Sequence, residues 1–545
     1  MKYFKNYNAT DNIFCSAIFN ININFKFLTK MKFIYFLISI LELFIFIKSD
    51  ESIDFSSLAS GTGYSVSDNI VTITTSGTYT LTGTSTTGSL VIADSLTNVN
   101  LIFNSLSLSS STKTLLTIGS SSSVNIQISQ TSTVNATGYS AITLNSNSVL
   151  TINGSSVLSI AGTYGFEGDN TTSLTINSGN ISISATTDGI KIGNEIIIND
   201  GTLTIASSNY GINSPGTTSI ISGTVTIGST DTSIYSNKNV IITGGTITLS
   251  SVNSNGIHAD YNITIGNENG KDDDLTLTVT KCDEGIEGAI IKVYSGTISI
   301  TSTDDGINVQ NSFYGTDDYD STAEISMNFY GGKVYVNAEG DGLDANGDIN
   351  IYGGSLEVWG MAAGGDNEPV DHDDNLIIND TTIIAGGSKG TSYTHNGITS
   401  TNQYSIYTTE SITSGTTVYV KDEENNTVET INLPKNIEYL FYTSKSVTSS
   451  FYFATSSGNI STTYFDGNSQ NQDGGRPNDG DRPDGPGEQG DRPGQNKTTS
   501  SSSSDYSTSS SESDDSSSES DDSSKGNYLY FSMILNILIY ICINI

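Results

Sequence analysis

The chain has 545 residues, and its 58 acidic side chains outnumber the 22 lysines and arginines, which gives a formal net charge of −36. A field this negative repels nucleic acid and anionic lipid headgroups, so the sequence predicts partners that are neutral, cationic or bridged by cations. Gly, Ser, Thr, Asn and Ile are abundant, which is typical of many short strands joined by tight turns rather than of helices.

The first 49 residues contain a targeting segment. Met31 and Lys32 form a basic start, and the apolar run 33–47 follows, so residues 31–49 are predicted to be a signal peptide cleaved after Ser49. Residues 1–30 resemble neither a domain nor a signal, which suggests a wrongly assigned start with Met31 as the true initiator. The alternative is a signal anchor that stays in the membrane.

A period of 22 residues runs through the body of the chain, residues 52–400. Gly179, Gly201, Gly223 and Gly245 follow one another at this spacing, and β-branched residues alternate with Ser or Thr after each. Alternation predicts half-buried strands, and a short repeat built of strands predicts a solenoid. We therefore predict an all-β, right-handed, single-stranded parallel β-helix with on the order of fifteen coils.

A second repeated phrase, centred on Gly-Ile, lies nine or ten residues after each glycine. Its aliphatic residue is expected to point inward, and the residues on either side of it should form two columns, one strand spacing per coil. The first column is Asp188, Tyr210, Thr232, Asn255, Glu284, Asp305, Asp341, and the second is Lys191, Asn213, Tyr235, His258, Glu287, Asn308, Asp344.

Both columns become acidic in the C-terminal half of the body. Two carboxylates one strand spacing apart repel by about 1 kcal/mol in water and about 3.5 kcal/mol at an effective dielectric of 20, so a bridging cation is expected. Oxygen ligands with few His and one body Cys favour Ca²⁺ over Zn²⁺, and Ca²⁺ is the predicted cofactor. The alternative is a solvated acidic face without a bound ion. The predicted metal ligands are Asp283, Glu284, Glu287, Asp304, Asp305, Asp341 and Asp344. The predicted carbohydrate-binding residues are Asn308, Asp317, Asp318, Asp366 and Asp371.

The period disappears after residue 400. Residues 401–456 predict a small β-cap over the last coil. Residues 466–526 are rich first in Gly and Pro and then in Ser and Asp, so they predict a disordered stalk. The apolar residues 527–545 predict a glycolipid-anchor signal, with a single membrane span as the alternative. The protein is therefore expected to be secreted, extracellular and tethered to a membrane at the cell surface through its C-terminal tail.

Cysteine and arginine usage limits the chemistry of the body. Cys282 is its one cysteine, which rules out an internal disulfide there and predicts a packing residue. All three arginines, Arg476, Arg482 and Arg492, lie in the stalk. Polysaccharide lyases on this fold often use an arginine, and pectin hydrolases add His, Arg and Lys to clustered aspartates. No catalytic residue is therefore assigned.

Four phrases resemble a known family of carbohydrate-binding β-helix proteins on the surfaces of plant-fibre-degrading microbes. They are Gly-Gly-Thr-Ile-Thr (244–248), Asp-Glu-Gly-Ile-Glu-Gly (283–288), Thr-Asp-Asp-Gly-Ile-Asn (303–308) and Asn-Ala-Glu-Gly-Asp-Gly-Leu-Asp-Ala-Asn-Gly (337–347). The resemblance covers about 165–400. It implies a pectate-lyase-like shape, binding of cellulose and acidic pectic polymers, and Ca²⁺ on acidic residues, with Glu284, Asp305, Asp341 and Asp344 as the closest matches.

Three functions are compatible with these patterns. The first is a monomeric cell-surface adhesin that binds plant cell-wall polysaccharide, either acidic pectic glycan or cellulose, through Ca²⁺ on the acidic columns. The second is a polysaccharide lyase or glycoside hydrolase on the same scaffold. The third is a structural surface protein without a ligand. Sequons at Asn135, Asn153, Asn170, Asn262 and Asn425 predict a glycoprotein.

Overall fold

The computed structural model describes residues 51–269, 274–310, 324–390 and 394–466. In these ranges the chain is almost entirely β-strand, with one short helix, α1 Thr394–Gly397. No helix among the described residues is both long and apolar enough to cross a membrane. The predicted signal peptide, the stalk beyond Asp466 and the apolar tail lie outside the described residues.

Most strands are short, and they are numbered here in chain order. The first strands are β1 Glu51–Asp54, β2 Tyr64–Ser67, β3 Ile70–Ile73, β4 Gly77–Ser85, β5 Ser89–Ile92, β6 Val99–Ser110, β7 Leu116–Ile118, β8 Ser123–Ile128, β9 Ser132–Ala136, β10 Ile142–Leu144, β11 Val149–Gly154, β12 Val157–Gly162 and β13 Phe166–Gly168. The next are β14 Ser173–Ile176, β15 Asn180–Ala185, β16 Ile190–Lys191, β17 Glu195–Ile198, β18 Thr202–Ser207, β19 Ile212–Ser214, β20 Thr217–Ile220, β21 Thr224–Ser229, β22 Ile234–Ser236, β23 Asn239–Ile242, β24 Thr246–Ser251 and β25 Ile257–Ile265.

The remaining strands include the last coils and the C-terminal cap. They are β26 Thr276–Cys282, β27 Ile286–Val293, β28 Thr297–Ser302, β29 Ile307–Val309, β30 Ser326–Phe329, β31 Lys333–Asn337, β32 Leu343–Ala345, β33 Asp348–Ile351, β34 Ser355–Trp359, β35 Val370–His372, β36 Leu376–Ile378, β37 Thr382–Gly387, β38 Ile398–Thr401, β39 Tyr404–Thr408, β40 Thr417–Lys421, β41 Thr427–Asn432, β42 Tyr439–Thr443, β43 Tyr452–Thr455, β44 Gly458–Asn459 and β45 Thr463–Asp466.

The coils form a parallel β-solenoid of about 14 turns, as the sequence predicts. Each full coil contributes one strand to each of three parallel sheets, visited in the same order. For example, β17, β18 and β19 pair with β20, β21 and β22 of the next coil, respectively. We call the sheets containing β17, β18 and β19 sheet 1, sheet 2 and sheet 3. Long strands turn a corner, so β25 and β27 each belong to sheets 3 and 1.

The core is a stack of aliphatic side chains from all three sheets. The isoleucine of the Gly-Ile phrase points inward, as predicted: Ile190, Ile212, Ile234 and Ile257 are fully buried and occupy equivalent positions in successive coils. Burying one such side chain contributes roughly 1.5–3 kcal/mol, so the repeated stack supplies stability that disulfides do not. Cys282 is also buried, and burial raises the pKa of its thiol to about 12, which fits the predicted packing residue.

The glycines spaced by 22 residues form one column at the turn between sheets 1 and 2. The φ angles of Gly201, Gly223 and Gly245 are 102°, 94° and 93°, in the left-handed region that favours glycine. A Cβ on Gly223 would also lie 2.6 Å from the carbonyl oxygen of Gly201. The predicted register of these three glycines is therefore confirmed, and each turn requires glycine for two independent reasons.

Side chains also form a hydrogen-bonded ladder along the rod. Amide groups connect successive coils, with Asn177 donating to Asn153 over 3.0 Å and Asn199 donating to Asn177 over 2.8 Å. Each amide both donates and accepts along such a stack, so polar groups at this corner are satisfied without charge.

The cap begins where the parallel pairing ends. Strand β42 pairs antiparallel with β37 of the last coil, while β40, β41, β43 and β44 form a separate four-stranded sheet. Lys435 Nζ donates to the backbone oxygen of Ala338 and lies 3.4 Å from a carboxylate oxygen of Glu339. The cap extends to β45, ten residues beyond the predicted end at 456, because β45 pairs with β39.

Candidate functional site

The register of sheet 3 aligns the predicted second column. Glu287 pairs with Asn308, Asn308 with Asp344, and Asp344 with Asp371 of the next coil. Residues 370–372 form strand β35, so Asp371 continues the acidic column by one coil.

Three carboxylates come together at the corner between sheets 2 and 3. Oxygen atoms of Asp305, Asp341 and Asp344 all lie within 4.8 Å of one another, and the three side chains are half-buried. Asp305 and Asp341 precede their inward aliphatic residues at the same turn of successive coils, and Asp344 lies on β32 immediately after that turn. We call these three residues the aspartate group.

Backbone amides fix the orientation of two members of the aspartate group. Asp305 Oδ1 accepts a hydrogen bond of 2.6 Å from the backbone N–H of Asp341, one coil further on. Asp341 Oδ1 accepts a hydrogen bond from the backbone N–H of Glu368 in the following coil. Gly340 lies close by, where a Cβ would come within 2.4 Å of Asp305 Oδ1. The carboxylates are therefore held in place by the fold before any ligand arrives.

Burial and mutual repulsion raise the pKa of every member of the aspartate group. Burial, with the charge of Asp304, raises the pKa of Asp305 to about 6. Burial also raises the pKa of Asp341 to about 8 and that of Asp344 to about 7, and in both cases the charge of Asp305 adds to the effect. Three anions in such a small space are unfavourable unless protons or a cation neutralise them.

An uncharged side chain that could supply an oxygen ligand, Asn308, lies beside the aspartate group. Asn308 is 5% exposed and pairs in register with Asp344. Its amide nitrogen donates to Glu284 over 3.3 Å, but Asn308 Oδ1 is buried without a hydrogen-bond partner among the described residues. A buried unpaired carbonyl oxygen costs about 1–3 kcal/mol, so a ligand for it is expected.

Glu284 and Glu287, two other predicted ligands, have a different environment. His258 Nδ1 lies 2.6 Å from Glu287 Oε2, and its Nε2 lies 3.2 Å from Asp260 Oδ1. Although burial opposes a charged imidazole, these two carboxylates raise the pKa of His258 to about 9. Glu287 is also buried, but its hydrogen bond with His258 and the positive charge of His258 lower the pKa of Glu287. The pKa of Glu284 is raised, by burial and by the negative charge of Glu287. The column already contains its own cation here.

The remaining predicted residues are dispersed. Asp283 and Asp304 are exposed, and Thr303 Oγ1 donates to Asp283 Oδ1 over 3.1 Å. Asp371 is close enough for its charge to raise the pKa values of all three aspartate-group residues. Asp366 is exposed. Asp317 and Asp318 lie outside the described residues.

Sequence reasoning missed Glu368, the first-column residue of the coil after Asp341. Its backbone N–H donates to Asp341, and its side chain is 3% exposed. The Gly-Ile phrase that identified the other coils is Pro369-Val370 here, so the repeat was not recognised. The signal that could have identified it is the downstream pair Leu376 and Ile378, which continues sheet 1.

Asp188 provides a contrast within the first column. Its carboxylate accepts hydrogen bonds from Asn209 Nδ2 at 2.8 Å and Asn213 Nδ2 at 3.1 Å, and also from the Tyr210 backbone. Amides satisfy this single buried charge, whereas the three carboxylates of the aspartate group accept hydrogen bonds from two backbone N–H groups among the described residues. The acidic half of the columns is therefore the candidate metal centre.

The raised pKa values predict how the metal-free protein responds to pH. Each aspartate-group carboxylate has a higher pKa in the folded state than its ordinary value of 3.8, so the folded state binds more protons. In chelator, stability should therefore rise as the pH falls from 8 to 5, by several degrees in Tm. Thermal unfolding at several pH values measures this. The Tm gain from calcium should be larger at pH 8 than at pH 5, and an equal gain would contradict the prediction.

A family model described as "carbohydrate-binding domain-containing protein" matches residues 67–317 and again residues 229–437. The two matches overlap, as a repeated architecture allows, and together they cover more than half of the chain. No curated protein and no solved structure matches the chain.

Proposed function

The chain belongs to the family of carbohydrate-binding domain-containing proteins, and we propose that it is an adhesin that binds acidic plant cell-wall polysaccharide through Ca²⁺. The observation that carries this proposal is the aspartate group: three half-buried carboxylates within 4.8 Å, all with raised pKa values. The family supports polysaccharide as the partner, and the group supplies the chemistry for an acidic one.

The donor set fits a calcium ion. Asp305, Asp341 and Asp344 would hold the ion. Asn308 Oδ1 beside them, which has no partner within the described part of the chain, is a neutral oxygen ligand of the kind that Ca²⁺ accepts. Among the described residues, the cluster itself contains no nitrogen or sulfur ligand, which disfavours zinc. Glu287 is not included in the proposed set because it is already paired with His258.

The charge of the chain explains why an ion is needed for an acidic glycan. A net charge of −36 repels a polyuronate, so direct contact between the acidic columns and sugar carboxylates is unfavourable. Bound calcium would neutralise two of the three negative charges of the aspartate group and offer coordination sites to sugar carboxylates. The aspartate group would fix the ion's position, and Asp371, one coil further along, extends the acidic column beside it.

The mutual hydrogen bond and the burial of Glu284 and Glu287 favour a non-catalytic role. Carboxylates whose pKa values differ strongly can act as acid and base in glycoside hydrolysis. In this pair, however, the two side chains hydrogen-bond to each other, whereas a retaining hydrolase separates its carboxyl groups by about 5 Å. Glu287 is also 1% exposed, which leaves no access for a sugar. We therefore propose binding rather than cleavage, with the lyase or hydrolase as the alternative.

The cellular location of the protein is part of the proposal. The predicted signal peptide, stalk and apolar tail support a secreted protein that is tethered to the cell surface. Release of the protein from cells by a phospholipase specific for glycolipid anchors would support this tether, and retention would favour a membrane span.

Calorimetric titration with polygalacturonate tests the proposed function. We expect binding in millimolar calcium and at least about 100-fold weaker binding in excess chelator, because the aspartate group then repels the ligand. Incubation with polygalacturonate should release no unsaturated products or new reducing ends. Equally tight binding in calcium and chelator would contradict the calcium mechanism, and product release would favour the enzyme.

A further inference from the structure

Three tyrosines form a stack at the corner between sheets 1 and 2. The ring centroids of Tyr294 and Tyr330 are 4.9 Å apart with an interplanar angle of 13°, and those of Tyr330 and Tyr352 are 5.9 Å apart at 22°. Tyr330 is 43% exposed and Tyr352 is 42% exposed. We call these three residues the tyrosine ladder. Tyr294 is half-buried and stacks against Tyr330, so the ring edges and hydroxyls of Tyr330 and Tyr352 form the exposed amphipathic strip.

The fold does not require aromatic residues at this corner. The equivalent position in earlier coils is held by Asn177, Asn199, Ile221 and Thr243. The backbone contacts are the same in both sets of coils. The N–H groups of Asn199 and Tyr352 each donate to the carbonyl oxygen of the last sheet 1 residue one coil earlier. The turn therefore accepts amide, aliphatic and hydroxyl side chains, so its backbone does not require tyrosine.

Polar groups of sheet 1 run beside the tyrosine ladder. Tyr352 Oη donates to Asn350 Oδ1 over 3.3 Å, and Asn350 Nδ2 donates to Asn328 Oδ1 over 3.1 Å. Asn328 is itself buried and its amide also donates to Ser326 Oγ, so the Asn350 side chain and Tyr352 Oη are the polar groups nearest the surface. Aromatic surface next to an amide and a hydroxyl is a combination that suits sugars, because sugar rings have apolar C–H faces and hydroxyl edges.

The tyrosine ladder is separate from the aspartate group. It lies at the corner between sheets 1 and 2, whereas the aspartate group lies at the corner between sheets 2 and 3 of the same coils. The ladder column continues with uncharged residues, Gly266 on one side and Asn379 on the other. A chain bound along the ladder would therefore not depend on a cation at the aspartate group.

We propose that the tyrosine ladder is a second polysaccharide site, which binds an uncharged, extended chain without calcium. One sugar of such a chain is about as long as one coil is tall, so successive sugars can contact successive tyrosines. An uncharged chain also escapes the repulsion that the net charge of −36 imposes on polyuronates. This inference rests on the family's carbohydrate-binding function and not on the calcium site.

Titration with cellohexaose in excess chelator tests the proposal. The wild-type chain is expected to bind, and the double variant Tyr330→Ala/Tyr352→Ala should bind at least tenfold more weakly. Tyr330→Phe keeps the ring and should bind like the wild type. Tyr139→Ala is the matched control, because Tyr139 is equally exposed, at 43%, but is not part of the ladder. In calcium, the wild type and the three variants should bind polygalacturonate with the same affinity.

Three results would overturn the proposal: no binding of cellohexaose by the wild-type chain, equal binding by the double variant, or a loss in Tyr330→Phe as large as in the double variant. Each is independent of the polygalacturonate titration. Failure of the calcium mechanism therefore leaves the tyrosine ladder standing, and failure of the ladder leaves the calcium mechanism standing.

Discussion

Replacing Asp305 and Asp341 together with asparagine is expected to weaken polygalacturonate binding in calcium by at least about 100-fold, which corresponds to about 2.7 kcal/mol. The reason is electrostatic, since the change removes two of the three charges that would hold the ion. Asparagine keeps the shape of the side chain and one carbonyl oxygen. It can therefore still accept the hydrogen bonds that the Asp341 and Glu368 backbones donate.

The same variant should not lose stability in chelator. Because both replaced carboxylates have pKa values raised by burial and repulsion, removing their charges should leave Tm unchanged or higher in the absence of calcium. The stabilisation by calcium should disappear at the same time. This pair of results separates loss of a metal site from general damage to the fold.

A charge-matched control makes the result specific. Asp200 and Asp274 are exposed and lie outside the acidic half of the columns, so Asp200→Asn/Asp274→Asn changes the net charge equally. This control should bind polygalacturonate within about twofold of the wild type, because exposed charges at a distance are screened. If the Asp305/Asp341 variant binds as tightly as this control in calcium, the aspartate group is not the calcium site.

The second large effect is expected for Gly223→Ala, which should destabilise the chain by about 2–5 kcal/mol. A residue with a Cβ at a φ of 94° costs roughly 1–2 kcal/mol. In addition, the new Cβ would lie 2.6 Å from the carbonyl oxygen of Gly201, which accepts the Thr224 backbone N–H over 2.8 Å. Moving that oxygen breaks contacts between coils, and such overpacking costs about 1–3 kcal/mol.

Gly364→Ala separates the two causes. Gly364 has nearly the same φ, 92°, but a Cβ there would meet nothing within 4 Å. This control should lose only the conformational part, about 1–2 kcal/mol. Thermal unfolding of both variants measures the difference. Equal Tm losses would show that the close approach of coils at Gly223 does not matter.

The period and the inward residues could be predicted from the sequence because each coil repeats local chemistry. Glycine at positive φ, alternating β-branched residues and the Gly-Ile phrase specify the turn, the strand and the core within one coil. Because successive coils are nearly identical, each strand pairs with the equivalent strand of the next coil. Gly201, Gly223 and Gly245 therefore lie in one column, and Ile212 stacks on Ile190. These features depend on no distant residue.

The membership of the candidate site depended on neighbours in other coils. The sequence suggested seven acidic ligands, but His258, one coil earlier, engages Glu287 and leaves Asp305, Asp341 and Asp344 as the close group. Charge and burial are properties of the assembled columns. No repeat pattern could therefore show which carboxylates would be neutralised by a partner.

Insertions between coils hid the rest from the sequence. Tyr294 and Tyr330 are 36 residues apart, so the interval of 22 residues does not align them, although the Gly-Ile phrase aligns Asp305 with Asp341 across the same insertion. The sequence by itself determined the solenoid, its glycine turns and its inward stack. Only the tertiary structure decided that Tyr294 joins Tyr330 and Tyr352 in one ladder and that, among the described residues, Asn308 Oδ1 is buried without a partner. Both facts depend on which coils become neighbours across an insertion.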